Sequence, residues 1–264
     1  MTKRDDLDAK GWVKFPADPN LLDWVQAVAP KAVEIARDPA HTANWLRCGG
    51  TWFAGVNVLG NASDGAVGNG PPLAGQAAGF CRRLVGADRM DWGDGQLSVC
   101  YPGYPKQDAG ESAAAFRYRL KRDTAHLDGL KAVGPDRRRK MDEFHGFILG
   151  IPLNEMPDGA SPFVIWEGSH HIVRAMLETV FADRDPADWP DIDMTELYQE
   201  TRRKIWSECP RVVLTAKPGE AYVAHRFALH GVAPWRSKNP APEAGRMIVY
   251  FRPDMGNRES WLHT

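Results

Sequence analysis

From Gln96 onward the sequence is cut into short β-type runs, and this punctuation constrains the fold more than any other feature of the chain. The runs are 97–101, 115–120, 143–153, 162–166, 211–215, 221–225 and 246–251, separated by turn signals such as PGYP, PDG, EGS and KPGE. Many short strands closed by Gly and Pro predict an antiparallel sandwich or barrel rather than a parallel α/β sheet. Two helix-period stretches, 170–182 and 193–208, interrupt the series.

Upstream, residues 11–16 (GWVKFP) predict a short strand. Asp18 and Pro19 then supply an N-cap and a first-turn proline for a helix over 21–37, which Pro30 is expected to kink or split. A second helical piece is expected over about 73–84, a β-like stretch at 51–59, and a loop over 60–70. There is no repeat and no clear linker. The simplest organisation is one domain over 1–264, with a helical N-terminal region of about 1–95 packed on a β core of about 96–255. The role of 42–95, substrate cap or structural padding, stays open.

Composition narrows the class of function. A formal net charge of −1 over 264 residues argues against a general nucleic-acid or membrane-surface binder. The opening MTKRDDLDAK lacks the apolar segment of a signal peptide, and the longest apolar run, 147–153, is broken by Gly150 and Pro152. Cys48, Cys81, Cys100 and Cys209 show no CxxC spacing, so they read as buried thiols in a cytoplasmic protein.

The chemistry centres on His126-Leu-Asp128. A His-x-Asp triplet alone is weak evidence, because a chain with 8 His produces one by chance about as often as not. Its chemical meaning is specific nonetheless. Residues i and i+2 of a strand share a face, so an imidazole nitrogen and a carboxylate oxygen can meet at one metal. A histidine from a distant strand would complete a two-His-one-carboxylate triad, leaving adjacent positions open. His225 and His230 both follow the KPGE turn; His230 is preferred because Gly231 lets the backbone bend closely there. Arg246 opens the run RMIVYF, where a guanidinium can pair two-pronged with a carboxylate. Arg236 is its rival, although it sits among Pro, Ser and Lys.

In these motifs and their order the chain resembles the phytanoyl-CoA dioxygenase-like family of iron(II)/2-oxoglutarate oxygenases. The resemblance lies in HLD, then GASPFVIWEGSHH (159–171), PGEAYVAHRFALHG (218–231) and GRMIVYFRP (245–253), and the opening GWVKFPADPNLLDWV is similar too. Two departures stand out: Glu167 replaces the usual Pro before Gly-Ser-His, and the stretch between His230 and Arg246 is longer than usual. Residues 42–95 have no counterpart.

The resemblance implies a mainly β fold, a double-stranded β-helix (jelly roll, cupin-like) with flanking α-helices. It implies Fe(II) held by His126, Asp128 and His230, with 2-oxoglutarate as co-substrate and O2 as oxidant. Arg246 would anchor the co-substrate, and Trp166 would either line its pocket or simply belong to the core. The expected reaction is hydroxylation of a small organic molecule with release of succinate and carbon dioxide. The Asp128 carboxylate favours this over halogenation, which needs that metal position for chloride.

Other residues carry blander expectations. His145 is read as a core histidine, His225 as core or supporting, Ser169 and His170 as turn organisers, and His171 as a helix start. A basic cluster (Arg117, Arg119, Lys121, Arg122, Lys131, Arg137, Arg138, Arg139, Lys140) would either recruit an anionic substrate or be a solvated lid balanced by acids. The competing functions are a cupin-type metalloenzyme that does not use 2-oxoglutarate and a catalytically silent metal-binding barrel. A zinc hydrolase assembled from His126, His145, His170 and His225 is a third. Substrate and oligomeric state stay open.

Overall fold

The computed structural model describes residues 2–87 and 90–263, and two antiparallel sheets organise it. In chain order the elements begin with α1 (Lys3–Lys10), β1 (Trp12–Phe15), α2 (Pro19–Arg37), α3 (Pro39–Trp45), β2 (Leu46–Arg47), β3 (Trp52–Gly55) and α4 (Gln76–Leu84). There follow β4 (Gln96–Cys100), α5 (Ala113–Arg122), β5 (Leu130–Val133), β6 (Arg138–Met141), β7 (Phe147–Pro152) and β8 (Phe163–Trp166). The rest is α6 (Ser169–Phe181), α7 (Thr195–Glu208), β9 (Arg211–Leu214), β10 (Ala221–His225), β11 (His230–Val232), β12 (Arg246–Phe251) and α8 (Arg258–His263).

The larger sheet has the order β1-β10-β7-β12-β4-β3-β2 and the smaller β11-β8-β9, while β5 and β6 form a separate hairpin. Side-chain alternation sorts the core into layers. On β12, Ile248 and Tyr250 point to one side and meet Phe163, Ile165 and Tyr222 between the two sheets. Met247, Val249 and Phe251 point the other way, onto Trp24 and Val28 of α2 and Phe80 of α4. The outer face of the small sheet, including Val164 and Trp166, packs on α6 and α7. The β core and flanking helices anticipated from sequence are therefore present.

Helix α2 shows why the local signals worked. Asp18 accepts from Asn20 N at 3.0 Å, Pro19 opens the first turn, and Leu21, Trp24, Val25, Val28, Ala32 and Ile35 form one buried stripe. Pro30 does not split the helix. Both Pro30 and Gln26, whose carbonyl loses its partner, lie on the exposed side, where water can replace the missing bond.

One expectation fails outright. Residues 115–120 are helical within α5, not a strand. The alternation Phe116-Arg117-Tyr118-Arg119-Leu120 imitates a strand, but Ser112 Oγ caps Ala115 N at 3.2 Å ahead of an alanine run, so helix wins. The strand expected at 11–16 and the β-like stretch expected at 51–59 are present as β1, which pairs with β10, and β3, which pairs with β4. No described helix is long and apolar enough to cross a membrane.

Candidate metal centre

His126 and His230 face each other across an isolated antiparallel bridge, His126 N donating to His230 O at 2.8 Å and His230 N to His126 O at 3.1 Å. Residues paired this way put their side chains on one face, and the imidazole centroids lie 4.5 Å apart. Asp128, two residues on, returns to the same face as His126.

The two histidines are oriented alike. His126 Nδ1 bonds Thr124 O and His230 Nδ1 bonds Ala228 O, both at 2.9 Å. A proton on each Nδ1 leaves each Nε2 as a lone pair. These Nε2 atoms lie 3.4 Å (His126) and 3.6 Å (His230) from Asp128 Oδ1, and ligand atoms of the three residues all fall within 4.8 Å of one another. Among the described residues no other group of His, Cys, Asp and Glu is gathered this way.

Arg252 completes the arrangement, and sequence reading missed it. Its Nη1 lies 3.2 Å from Asp128 Oδ2, and its Nη2 donates to Gln96 Oε1 at 2.6 Å. One carboxylate oxygen is thus tied back while the other faces the imidazoles. Burial works against the Asp128 charge, yet Arg252 and the two histidines hold the carboxyl well below its usual range. A detectable signal existed: Arg246 and Arg252 share the inward parity of β12.

The triad opens on a cavity of about 470 Å³ whose walls include Trp45, Arg47, Trp52, Val56 and Tyr250. Residues 45–56 therefore form part of the wall of this cavity. His126 stands at its mouth with its side chain 45% exposed, against 5% for His230 and 8% for Asp128. Of the basic cluster, Lys131 reaches this wall, and it is paired with Asp142 at 2.8 Å and Glu143 at 2.7 Å.

Gly231 is required for a different reason from the one expected. A Cβ there would collide with Asp123 O, because Val232 N donates to that same carbonyl at 2.8 Å and draws the two backbones together. Gly231→Ala is expected to cost about 1–3 kcal/mol of stability, read as a lowered urea midpoint, and to disturb the adjacent His230.

Arg246 is buried at the start of β12 and lines a neighbouring cavity of about 230 Å³. Phe163, stacked on His230 with ring centroids 5.4 Å apart, contributes to the walls of both cavities. The Arg246 Nη2 atom approaches Tyr250 OH at 3.4 Å, and Tyr250 and Tyr222 share a 3.0 Å hydrogen bond. Arg246 Nη1 is buried without a hydrogen-bond partner, an unmet donor of the kind an anionic oxygen satisfies. The rival Arg236 is exposed on a loop.

Trp166 takes the core alternative. It lies on the outer face of β8 among the residues packed on α6 and α7, and it borders neither cavity. The remaining histidines do not line the cavity of the triad, and His170 packs beside His225 with ring centroids 4.9 Å apart. His145 bonds Arg252 O at 2.8 Å and Glu143 Oε2 at 2.9 Å, and His170 bonds Asp8 O at 2.9 Å. His225 ends β10 and borders a third, smaller cavity. They do not assemble the alternative zinc set.

His145 is the main influence lowering the Glu143 carboxyl, to about 2, with burial opposing and Lys131 assisting. Because the folded-state value is depressed, this stabilisation is fully present above pH 4.5 and is lost as pH falls towards about 2. Urea midpoints measured across that window should fall more steeply for the wild type than for Glu143→Gln.

The chain matches no known protein-family profile and no curated protein sequence. Among solved structures it is similar to the non-heme alpha-ketoglutarate-dependent carbocyclase SnoK from nogalamycin biosynthesis, at 14% identity over 95% of this chain and 84% of that one, with a TM-score of 0.47. It is also similar to EctD from S. alaskensis with bound Fe, at 16% identity, 96% and 76% coverage and a TM-score of 0.48. AviO1 from Streptomyces viridochromogenes gives 12% identity, 96% coverage of both chains and a TM-score of 0.45. With identities this low, any chemistry has to come from the chain's own side chains.

Proposed function

We propose that this chain is a non-haem oxygenase using Fe(II) and 2-oxoglutarate, with His126, Asp128 and His230 as metal ligands and Arg246 as the anchor of the co-substrate's far carboxylate. The observation that carries the reading is the convergence of the two Nε2 atoms and Asp128 Oδ1 on one cavity wall. Two imidazoles and one carboxylate suit a divalent first-row metal and leave coordination positions open. The unpartnered Nη1 of Arg246 supports an anionic co-substrate and disfavours a cupin-type enzyme without one.

When bound, iron and 2-oxoglutarate supply the oxidising power, with dioxygen consumed and succinate and carbon dioxide released. The protein's share is geometry. Arg252 holds Asp128 Oδ2, leaving Oδ1 as the oxygen that would hold the metal, and the backbone carbonyls of Thr124 and Ala228 fix the imidazole tautomers. Phe163, Tyr222 and Tyr250 are buried around Arg246, itself buried, where an ion pair is stronger than at a surface. Trp45, Trp52 and Val56 would hold a small, largely apolar substrate against the metal. With Asp128 as a ligand, the metal position that a halogenase would give to chloride would be taken, which favours hydroxylation over halogenation.

The same reading takes 1–264 as one oxygenase domain built on a double-stranded β-helix. Its support is the path of the chain from large sheet (β7) to small (β8, β9), then back through β10, β11 and β12 alternately. Four unpaired cysteines fit a cytoplasmic setting.

The test is succinate production from 2-oxoglutarate with Fe(II) and oxygen, followed without added substrate. Slow, iron-dependent succinate release that disappears in His230→Ala is expected. A folded, iron-loaded wild type that releases none would transfer the site to the cupin-type alternative.

A further inference from the structure

Strand β2 brings a cation to the rim of the metal cavity. In its pairing with β3, Leu46 lies opposite Phe53 and Arg47 opposite Trp52. Phe53 is buried on the side facing α2, whereas Trp52 lines the cavity, so Arg47 shares the cavity face. Its guanidinium lies over the Trp45 ring, 5.5 Å from the centroid, a contact that holds an exposed side chain to the wall.

The other charges on this wall are balanced. Arg252 faces Asp128 at 3.2 Å, and Lys131 is shared by Asp142 and Glu143. Glu143 also meets His145 at 2.9 Å. Of the wall's charged side chains, Arg47 is the one that takes part in no ion pair among the described residues. Asp108 approaches this corner, but its carboxylate accepts from Cys48 N at 3.0 Å and Gly49 N at 2.6 Å. Beside Arg47 the wall is apolar. Trp52 Nε1 donates to Ser98 Oγ at 3.1 Å, so its ring, with Trp45 and Val56, is what a ligand meets.

We propose that the substrate is a monocarboxylic acid with an apolar body, its carboxylate received by Arg47 and its body lying on Trp45 and Trp52. The proposal rests on the oxygenase reading of the triad and names the substrate class for it. A planar guanidinium suits a carboxylate. A dianionic phosphate would call for a second free cation, and Lys131 is already committed to two acids. Strand β2 stands three strands from β12, which ends beside Arg252. At about 4.8 Å per strand that is roughly 14 Å along the sheet. The reacting carbon is therefore several bonds from the carboxylate. This gives part of the stretch 42–95 a task, the selection of substrate.

Binding is measured by isothermal titration calorimetry on the full chain, anaerobically with Fe(II) and 2-oxoglutarate and again without either. The probes are 4-phenylbutanoate, 4-cyclohexylbutanoate and octanoate, each beside its primary amide and the amine of equal length. At least one acid should bind the wild type about tenfold tighter than its amide, between the value of an exposed ion pair and that of a charge-assisted hydrogen bond. Arg47→Gln should erase that preference, and Arg47→Glu should favour the amine; at an exposed position both variants should fold. Equal binding of acid and amide, binding by none of the acids, or an acid preference that survives in Arg47→Gln would overturn the proposal. An acid preference in the metal-free chain, with no visible chelate band on loading, would uphold Arg47 and remove the oxygenase reading. A chelate band with no acid preference would do the reverse.

Discussion

Replacing Asp128 by alanine is expected to lower Fe(II) affinity at least about a hundredfold and 2-oxoglutarate turnover at least about a thousandfold. The effect has two parts. The substitution removes the oxygen towards which both imidazole Nε2 atoms are turned. It also strands Arg252, whose guanidinium would then face the two histidines with no carboxylate between them. A positive charge at that point repels a divalent cation, so the loss should exceed that from removing the more exposed His126. Iron binding is read by competition with a chromophoric chelator and turnover by succinate release, with circular dichroism to confirm folding. Turnover within tenfold of wild type in a folded Asp128→Ala protein would remove Asp128 from the metal site.

Arg246→Met is expected to raise the 2-oxoglutarate concentration needed for half-saturation by about 30- to 5,000-fold, the range for truncating one partner of a buried ion pair. Iron affinity should be nearly unchanged. Without 2-oxoglutarate, the variant should unfold at the same temperature as the wild type or higher, because a buried guanidinium nitrogen with no partner has been replaced by an apolar chain. This opposition between binding and stability separates an anchoring arginine from a structural one. Lysine should not rescue binding, since a point charge cannot reproduce the two-pronged contact. Arg236→Ala, on its exposed loop, should leave half-saturation within about twofold. A Met variant that loses stability and keeps its affinity would overturn the assignment.

Much of this was legible in the sequence where a local rule and the tertiary environment agree. The inward and outward alternation of RMIVYF became the two faces of β12, and Asp18-Pro19 became the start of α2. His126, Asp128 and His230 were readable because strand parity and a bridge between distant segments are simple geometry. Other features were hidden for identifiable reasons. Helix α1 is polar, with Leu7 its one buried residue, so its apolar periodicity is faint, although the Thr2–Asp5 capping box marks its start. Strands β5 and β6 are rich in lysine and arginine and form a hairpin outside both sheets, where the apolar alternation that betrays a strand is not needed. Trp166 could not be assigned to a face until the register Ile165↔His230 fixed the parity of β8. Arg252 lies just past a strand end beside Pro253, where parity is easily overlooked.

The most direct test of the central proposal is an anaerobic titration of the metal-free protein, first with Fe(II) and then with 2-oxoglutarate. The signal is the weak visible band that iron(II) gives when a 2-oxo acid chelates it. A band that forms in the wild type, is lost in Asp128→Ala and needs far more 2-oxoglutarate in Arg246→Met is the expected result. Iron uptake with no band at any 2-oxoglutarate concentration would contradict it.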